Sequence, residues 1–196
     1  MATTQPTFYP YGMTSPLMVT FAGGTAGGWR VDRIEEVRGS RLAKVPSLAV
    51  IEGSSSPIPA DSRWVLRGVT SNERYTTQQE QEALRVVQAP LGRPEATRAA
   101  LIPITKSVEW WALAQGERRA IFEEQSHHIA VGLEFAAAIA RRLHHSRGMG
   151  QEFDFLTWFE YPPAASDAFE ELLVRLRATA EWTYVEREVA VRLIRA

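Results

Sequence analysis

The sequence predicts an α+β fold made of two similar halves, and three observations lead to it. Strand-like and helix-like stretches follow the order strand, helix, strand in the first half and strand, strand, helix, strand in the second. Phe153, Phe155, Thr157, Phe159 and Tyr161 alternate with Asp154, Leu156, Trp158 and Glu160, the period of a strand. Phe169, Leu172, Leu173 and Leu176 stand at i, i+3, i+4 and i+7, one apolar stripe of a helix. With 45% hydrophobic and 23% charged residues in 196, the chain has the composition of an ordinary globular protein able to bury a core.

Taken in order, residues 1–17 read as an irregular extension, with Met13 and Met18 as alternative starts. Met18 to Phe21 is the first strand, followed by a glycine-rich turn from Gly23 to Gly28. Trp29 to Val37 has strand character. Gly39 to Ala60, rich in Ser, Pro and Gly, reads as a loop holding at most one short strand at Leu48 to Ile51, before a strand at Arg63 to Thr70. Thr76 to Gln88 is helical, with Thr76 and Gln79 at capping-box spacing and Ala83, Val86 and Val87 on one face.

Ala99 to Ile104 is a strand, then Ser107 to Gln115 and Glu117 to about His127 form two short helices divided at Gly116. Leu133 to Arg142 is ambiguous: its alanines favour helix, whereas its place before Gly148 favours a hairpin over Ala138 to Arg147. Pro162 and Pro163 end the Phe153 to Tyr161 strand, and Ser166 is placed to cap the helix after it. Trp182 to Leu193 closes the chain as a β-branched strand. This order suggests two ferredoxin-like halves, although no internal sequence repeat supports a duplication directly.

Composition narrows the chemistry. Net charge is -1 with both signs interspersed, so no basic face is available for nucleic acid. The absence of cysteine removes disulfides, thiolate zinc sites, iron-sulfur clusters and a Cys nucleophile. No stretch approaches the ~18 apolar residues of a membrane span, and Met1 to Pro16 lacks the apolar run of a secretory signal, which sets a cytoplasmic location as the expectation. The four histidines form two adjacent pairs, His127-His128 and His144-His145. With Glu123 or Glu124 nearby they could supply a mononuclear metal site, or they could be hydrogen-bonded histidines without a metal; spacing alone leaves both open.

Four strings carry more than spacing does: Val87 to Lys106 (VQAPLGRPEATRAALIPITK), Trp110 to His128 (WWALAQGERRAIFEEQSHH), Phe153 to Tyr161 (FDFLTWFEY) and Ala178 to Val189 (ATAEWTYVEREV). Together they resemble the short-chain, dimeric branch of the chlorite dismutases, over roughly Val19 to Arg195. The resemblance implies a dimeric α+β barrel over residues 18–196, with a degenerate ferredoxin-like half at about 18–106 and a haem-binding one at about 107–196. It implies haem b and the conversion of chlorite to chloride and dioxygen through ferric haem, with cleavage of a Cl–O bond and formation of an O–O bond.

Residue by residue, the resemblance makes His128 the proximal iron ligand, with Glu181 as the carboxylate behind it. Arg141 becomes the distal arginine that holds anionic substrate, and Gln88 the glutamine that restrains it. Lys106 is expected to pair with a haem propionate; Trp110 and Trp111 are expected at the cofactor, one of them in packing, and Tyr75 is a further propionate contact. A homodimer acting on a small anion is expected. Within the superfamily, a coproheme decarboxylase would be expected to lack an arginine at position 141 and to carry a longer first half. A peroxidase-like or stress-response haem protein is the other alternative.

Overall fold

The computed structural model describes residues 17–53, 56–71 and 75–196; the expected extension before Leu17 and the alternative start at Met13 lie outside them. Eight antiparallel strands form the frame: β1 Met18–Gly24, β2 Trp29–Arg38, β3 Ser47–Glu52, β4 Trp64–Thr70, β5 Arg98–Lys106, β6 Ala140–His145, β7 Phe155–Tyr161 and β8 Val185–Arg195. They close into a barrel in the order β1-β3-β2-β8-β5-β7-β6-β4. Read half by half, the order is β4-β1-β3-β2 and β8-β5-β7-β6. One long seam, β2 on β8, joins the halves, whereas β4 meets β6 only at Val69–His145 and Thr70–His144.

Alternation along each strand gives the barrel its two cores. Val19, Phe21, Leu48, Trp64, Leu66, Leu101, Leu156, Trp158 and Val191 point inward and fill the interior. On the outer face of the second half, Ile102, Phe155, Phe159 and Tyr161 pack under helix α5, Ser166–Arg177, which contributes Phe169, Leu172, Leu173 and Leu176. The i, i+3, i+4, i+7 stripe is therefore the buried one. Strand β7 is buried on both faces, because one lies in the interior and the other beneath helices. At the β4–β6 seam, a Cβ on Gly68 would stand 2.8 Å from the His144 Cβ and 2.9 Å from the Ser146 Oγ, so glycine is what lets the strands close.

Several boundaries differ from the expectations. Helix α1 runs Gln78–Val87 and is capped by Thr77 and Glu80 in place of Thr76 and Gln79. The Glu80 carboxylate accepts from the Thr77 N–H at 2.7 Å, a charge-assisted bond that an uncharged Gln79 does not match. The division after Lys106 falls at Leu113 and Ala114, between α2 Val108–Ala112 and α3 Gln115–Arg119, so Gly116 sits inside a helix. There Glu117 accepts from the Ala114 N–H at 2.7 Å and starts the new helix. Ser166 does not cap α5; its hydroxyl donates to the Pro163 carbonyl within a 3₁₀ turn over Pro163–Ala165. The ambiguous stretch resolves as both readings in succession, helix α4 at His128–Phe135 and then β6. β3 is longer than expected and central to its half, paired with β1 over Ser47–Glu52. The last strand starts three residues later than Trp182, after a 3₁₀ turn at Ala180–Tyr184.

His144 lies inside the barrel, 0% exposed, with its ring edge-on to Phe21 and its Nδ1 3.0 Å from the Leu156 carbonyl. Burial pushes its pKa down to about 4. An unfolded chain takes up this proton near pH 6.5, whereas the folded one resists until about 4. Stability is therefore expected to fall as pH drops through that window, by about 3 kcal/mol from this residue. Urea midpoints at pH 7, 5 and 4 measure the loss, and His144→Leu should flatten the profile. An unchanged slope in that variant would place the acid sensitivity elsewhere.

Candidate functional site

Between the outer face of β5, β6 and β7 and the helices that roof it lies a mostly apolar cavity, with about 1180 Å³ of space including its open edge. Ile102, Ile104, Arg141, Leu143, Phe155, Thr157 and Phe159 form the sheet wall. The helical wall carries His128, Ile129, Gly132 and Phe135 from α4 and Leu172, Leu173 and Leu176 from α5.

The presentation of His128 is set by irregular backbone. Residues Ala120–Gln125 form a π-helical turn, and His127 follows in the left-handed region at φ 51° and ψ 36°, so the chain changes direction and α4 begins at His128 itself. His127 offers no capping side chain, and Glu123 reaches over to accept from the N–H groups of Ile129 at 2.6 Å and Ala130 at 3.3 Å. Phe122, from the π-turn, stacks on the His128 ring at 4.3 Å and 22°.

Behind the imidazole stands a buried charge relay. His128 Nδ1 lies 2.7 Å from Glu181 Oε2, and Lys106 Nζ lies 2.7 Å from Glu181 Oε1, with the Lys106 and Glu181 side chains only 2% and 4% exposed. Ser126 Oγ accepts from the Glu181 N–H at 2.9 Å and fixes the turn. Lys106 Nζ sits 4.6 Å from the Trp110 ring centre and 5.5 Å from that of Trp182. Burial alone would raise the Glu181 pKa, but the Lys106 charge and the hydrogen bond from His128 overcome it and hold it at about 2. An ionised Glu181 accepts the Nδ1–H of His128, which leaves the Nε2 lone pair as the available electron donor of the ring.

Arg141 stands on the opposite, sheet wall. Arg141 is half-buried at the cavity wall, desolvation there pushes its pKa down, and among the described residues it has no ion-pair partner. Gln88, at the end of α1, donates from Nε2 to the Arg141 backbone carbonyl at 2.8 Å. It thus holds the strand on which the arginine sits and does not touch the guanidinium.

One expectation needs correction, and two readings that the sequence left open are decided. Lys106 is engaged with Glu181 behind His128 and so is not a free cation for a propionate. Trp111 does not line the cavity; it packs on Phe155 at 5.9 Å, donates to Asp154 Oδ2 at 3.1 Å and has Arg147 over its face at 4.0 Å. The mononuclear metal site does not form, because His144 faces the barrel interior, Glu123 caps α4, and no group of three or more His, Asp or Glu converges among the described residues. Trp110 and Tyr75 do line the cavity, their rings 6.0 Å apart. The Trp110 N–H is buried with no acceptor among the described residues. Phe122, Trp182 and Thr157 also line it and carried no recognisable signal in the sequence.

These features fit a flat, largely apolar prosthetic group that brings a chelated metal and a polar edge. One imidazole lone pair, with no second or third protein ligand beside it, suits a metal already held by a macrocycle. The buried Trp110 N–H, without an acceptor among the described residues, is a donor left for such a group.

The chain matches the family model described as chlorite dismutase over residues 59–194. It is similar to the dimeric chlorite dismutase of Nitrobacter winogradskyi, with 53% identity, a TM-score of 0.84, and coverage of 91% of this chain and 99% of that one. It is 33% identical to the chlorite dismutase of Ideonella dechloratans over 86 residues, which is 44% of this chain and 28% of that protein's length. A chlorite dismutase from Candidatus Nitrospira defluvii, solved in complex with imidazole, shares the fold at 22% identity and a TM-score of 0.66, with 92% of each chain covered. A match over most of the barrel, together with a histidine, a carboxylate and an arginine brought around one cavity, leads to a single conclusion: this chain belongs to the chlorite dismutase family.

Proposed function

We propose that this protein is a haem b-dependent chlorite dismutase that converts chlorite to chloride and dioxygen. The observation that carries the reading is the Arg141 guanidinium, half-buried in an apolar wall without a counter-charge and facing the same cavity as His128. A half-buried cation without a partner carries a cost, and a small anion entering the cavity offsets that cost.

In this reading His128 Nε2 would hold the iron, which supplies, when bound, the redox centre at which a Cl–O bond breaks and an O–O bond forms. Glu181 keeps the Nδ1 proton on its side of the ring and makes His128 a stronger electron donor. Lys106 stabilises Glu181 as the carboxylate, a role one position further from the metal than a propionate contact. Arg141 binds chlorite and retains anionic fragments until they recombine, without losing its own proton. Gln88 positions Arg141 through its backbone. Trp110 and Tyr75 meet the polar edge of the haem. The equal strand order of the two halves supports reading the barrel as two ferredoxin-like units, the first without a crossover helix. The dimeric relative supports a homodimer.

The test is an oxygen electrode with purified, haem-loaded protein. Chlorite should release one dioxygen per chlorite consumed without added reductant, and His128→Ala should lose both the histidine-ligated haem spectrum and turnover. Haem binding without oxygen release would favour the peroxidase-like or stress-response alternative, and full activity in His128→Ala would overturn the site.

A further inference from the structure

We propose that Thr157 is a second anion contact, whose hydroxyl donates to the oxyanion that Arg141 holds and sets the preference of the site for oxyanions. The inference rests on the haem reading of the cavity and adds a residue to it. Thr157 stands at the centre of β7, between Ile102 on β5 and Leu143 on β6, with Phe155 and Phe159 on either side along its own strand. All four neighbours on that face are apolar, and all of them line the cavity with it.

A hydroxyl in such a wall carries a desolvation cost unless something pairs with it, and valine would fill the same shape without that cost. No hydrogen-bond partner serves the Thr157 hydroxyl among the described residues, and its side chain opens onto the cavity. On the sheet wall, Arg141 and Thr157 are the polar side chains without a side-chain partner, since Lys106 of β5 is engaged with Glu181. Arg141 is in register with Phe159, and Leu143 with Thr157, so the two polar residues lie on adjacent strands, offset by two positions on one face. That diagonal separation of about 7–8 Å between Cβ atoms leaves room for a small anion reached by both. Arginine supplies charge; the hydroxyl supplies one directed donor, which a two-oxygen anion can accept while its other oxygen meets the guanidinium.

The experiment titrates haem-loaded protein with nitrite, an oxyanion that is not turned over by this reaction, and with imidazole, which carries no oxyanion, following the haem absorption. Thr157→Val is expected to weaken nitrite binding by about tenfold and to raise the chlorite KM similarly, with imidazole affinity unchanged; Thr157→Ser should restore both. Nitrite affinity unchanged in Thr157→Val overturns the proposal. So does an equal weakening of nitrite and imidazole, which marks a packing effect. Thr157→Ala, which opens space without a hydroxyl, repeats the comparison if the valine variant is poorly folded. If the parent protein releases no dioxygen from chlorite while nitrite binding still follows the hydroxyl, the dismutase reading fails and this contact stands.

Discussion

Replacing Lys106 with methionine is expected to destabilise the protein by about 3–5 kcal/mol, because it leaves the Glu181 carboxylate buried without its cation. For a chain of 196 residues this corresponds to a fall in Tm of roughly 10 °C, measurable by thermal denaturation. The effect should be largely relieved in Lys106→Met combined with Glu181→Gln, where an uncharged amide still accepts from His128 Nδ1–H. The reason lies in the geometry: both carboxylate oxygens are already used, one by Lys106 and one by His128, and the Glu181 side chain is only 4% exposed. A Lys106→Met protein that melts within 2 °C of the parent would mean that Lys106 does not compensate Glu181.

Arg141→Leu is expected to move binding and stability in opposite directions. Loss of the guanidinium should raise the chlorite KM and the Kd for nitrite by about 100-fold, the size seen when a preorganised donor to developing or bound anionic charge is removed. In anion-free protein the same change should raise stability by about 1 kcal/mol, because it replaces an uncompensated half-buried cation with a side chain suited to the apolar wall. Anion titration and thermal denaturation on one preparation measure both. A destabilised variant would indicate that the guanidinium is compensated within the folded chain and is not held ready for an anion.

Much of this architecture was legible along the chain, and the parts that were not share a cause. Regular periodicity identified β7 and α5 because each buries a full face over several turns or residues. β3 was harder to size, since Gly39 to Ala60 is full of turn residues and the strand is defined by its neighbour β1, far from any local signal. The two helices before His128 were divided at the wrong residue, because Gly116 looked like a breaker while the actual boundary is set by the Glu117 side chain folding back on Ala114.

For the site, the resemblance picked out His128, Glu181 and Arg141, and all three face the same cavity. It could not reveal that Lys106 turns inward, since the choice between a propionate and Glu181 depends on contacts 75 residues apart in sequence. Nor could spacing show that Gln88 grips a carbonyl, that Trp111 packs behind Phe155, or that Thr157 stands alone among apolar neighbours. Strand register decides each of these, and register is a property of pairs.

Closure of the eight strands on themselves has a further effect on how copies of this chain can meet. Every described strand has a hydrogen-bonded neighbour on both sides, but β2 meets β3 only at Trp29 and Arg30 and β4 meets β6 only at Val69 and Thr70, so strand addition is blocked along the long seams and left to the backbone beyond these two short ones. Along the fully paired seams, association must therefore proceed through side chains on outer surfaces, where each contact can be strengthened or lost by single substitutions.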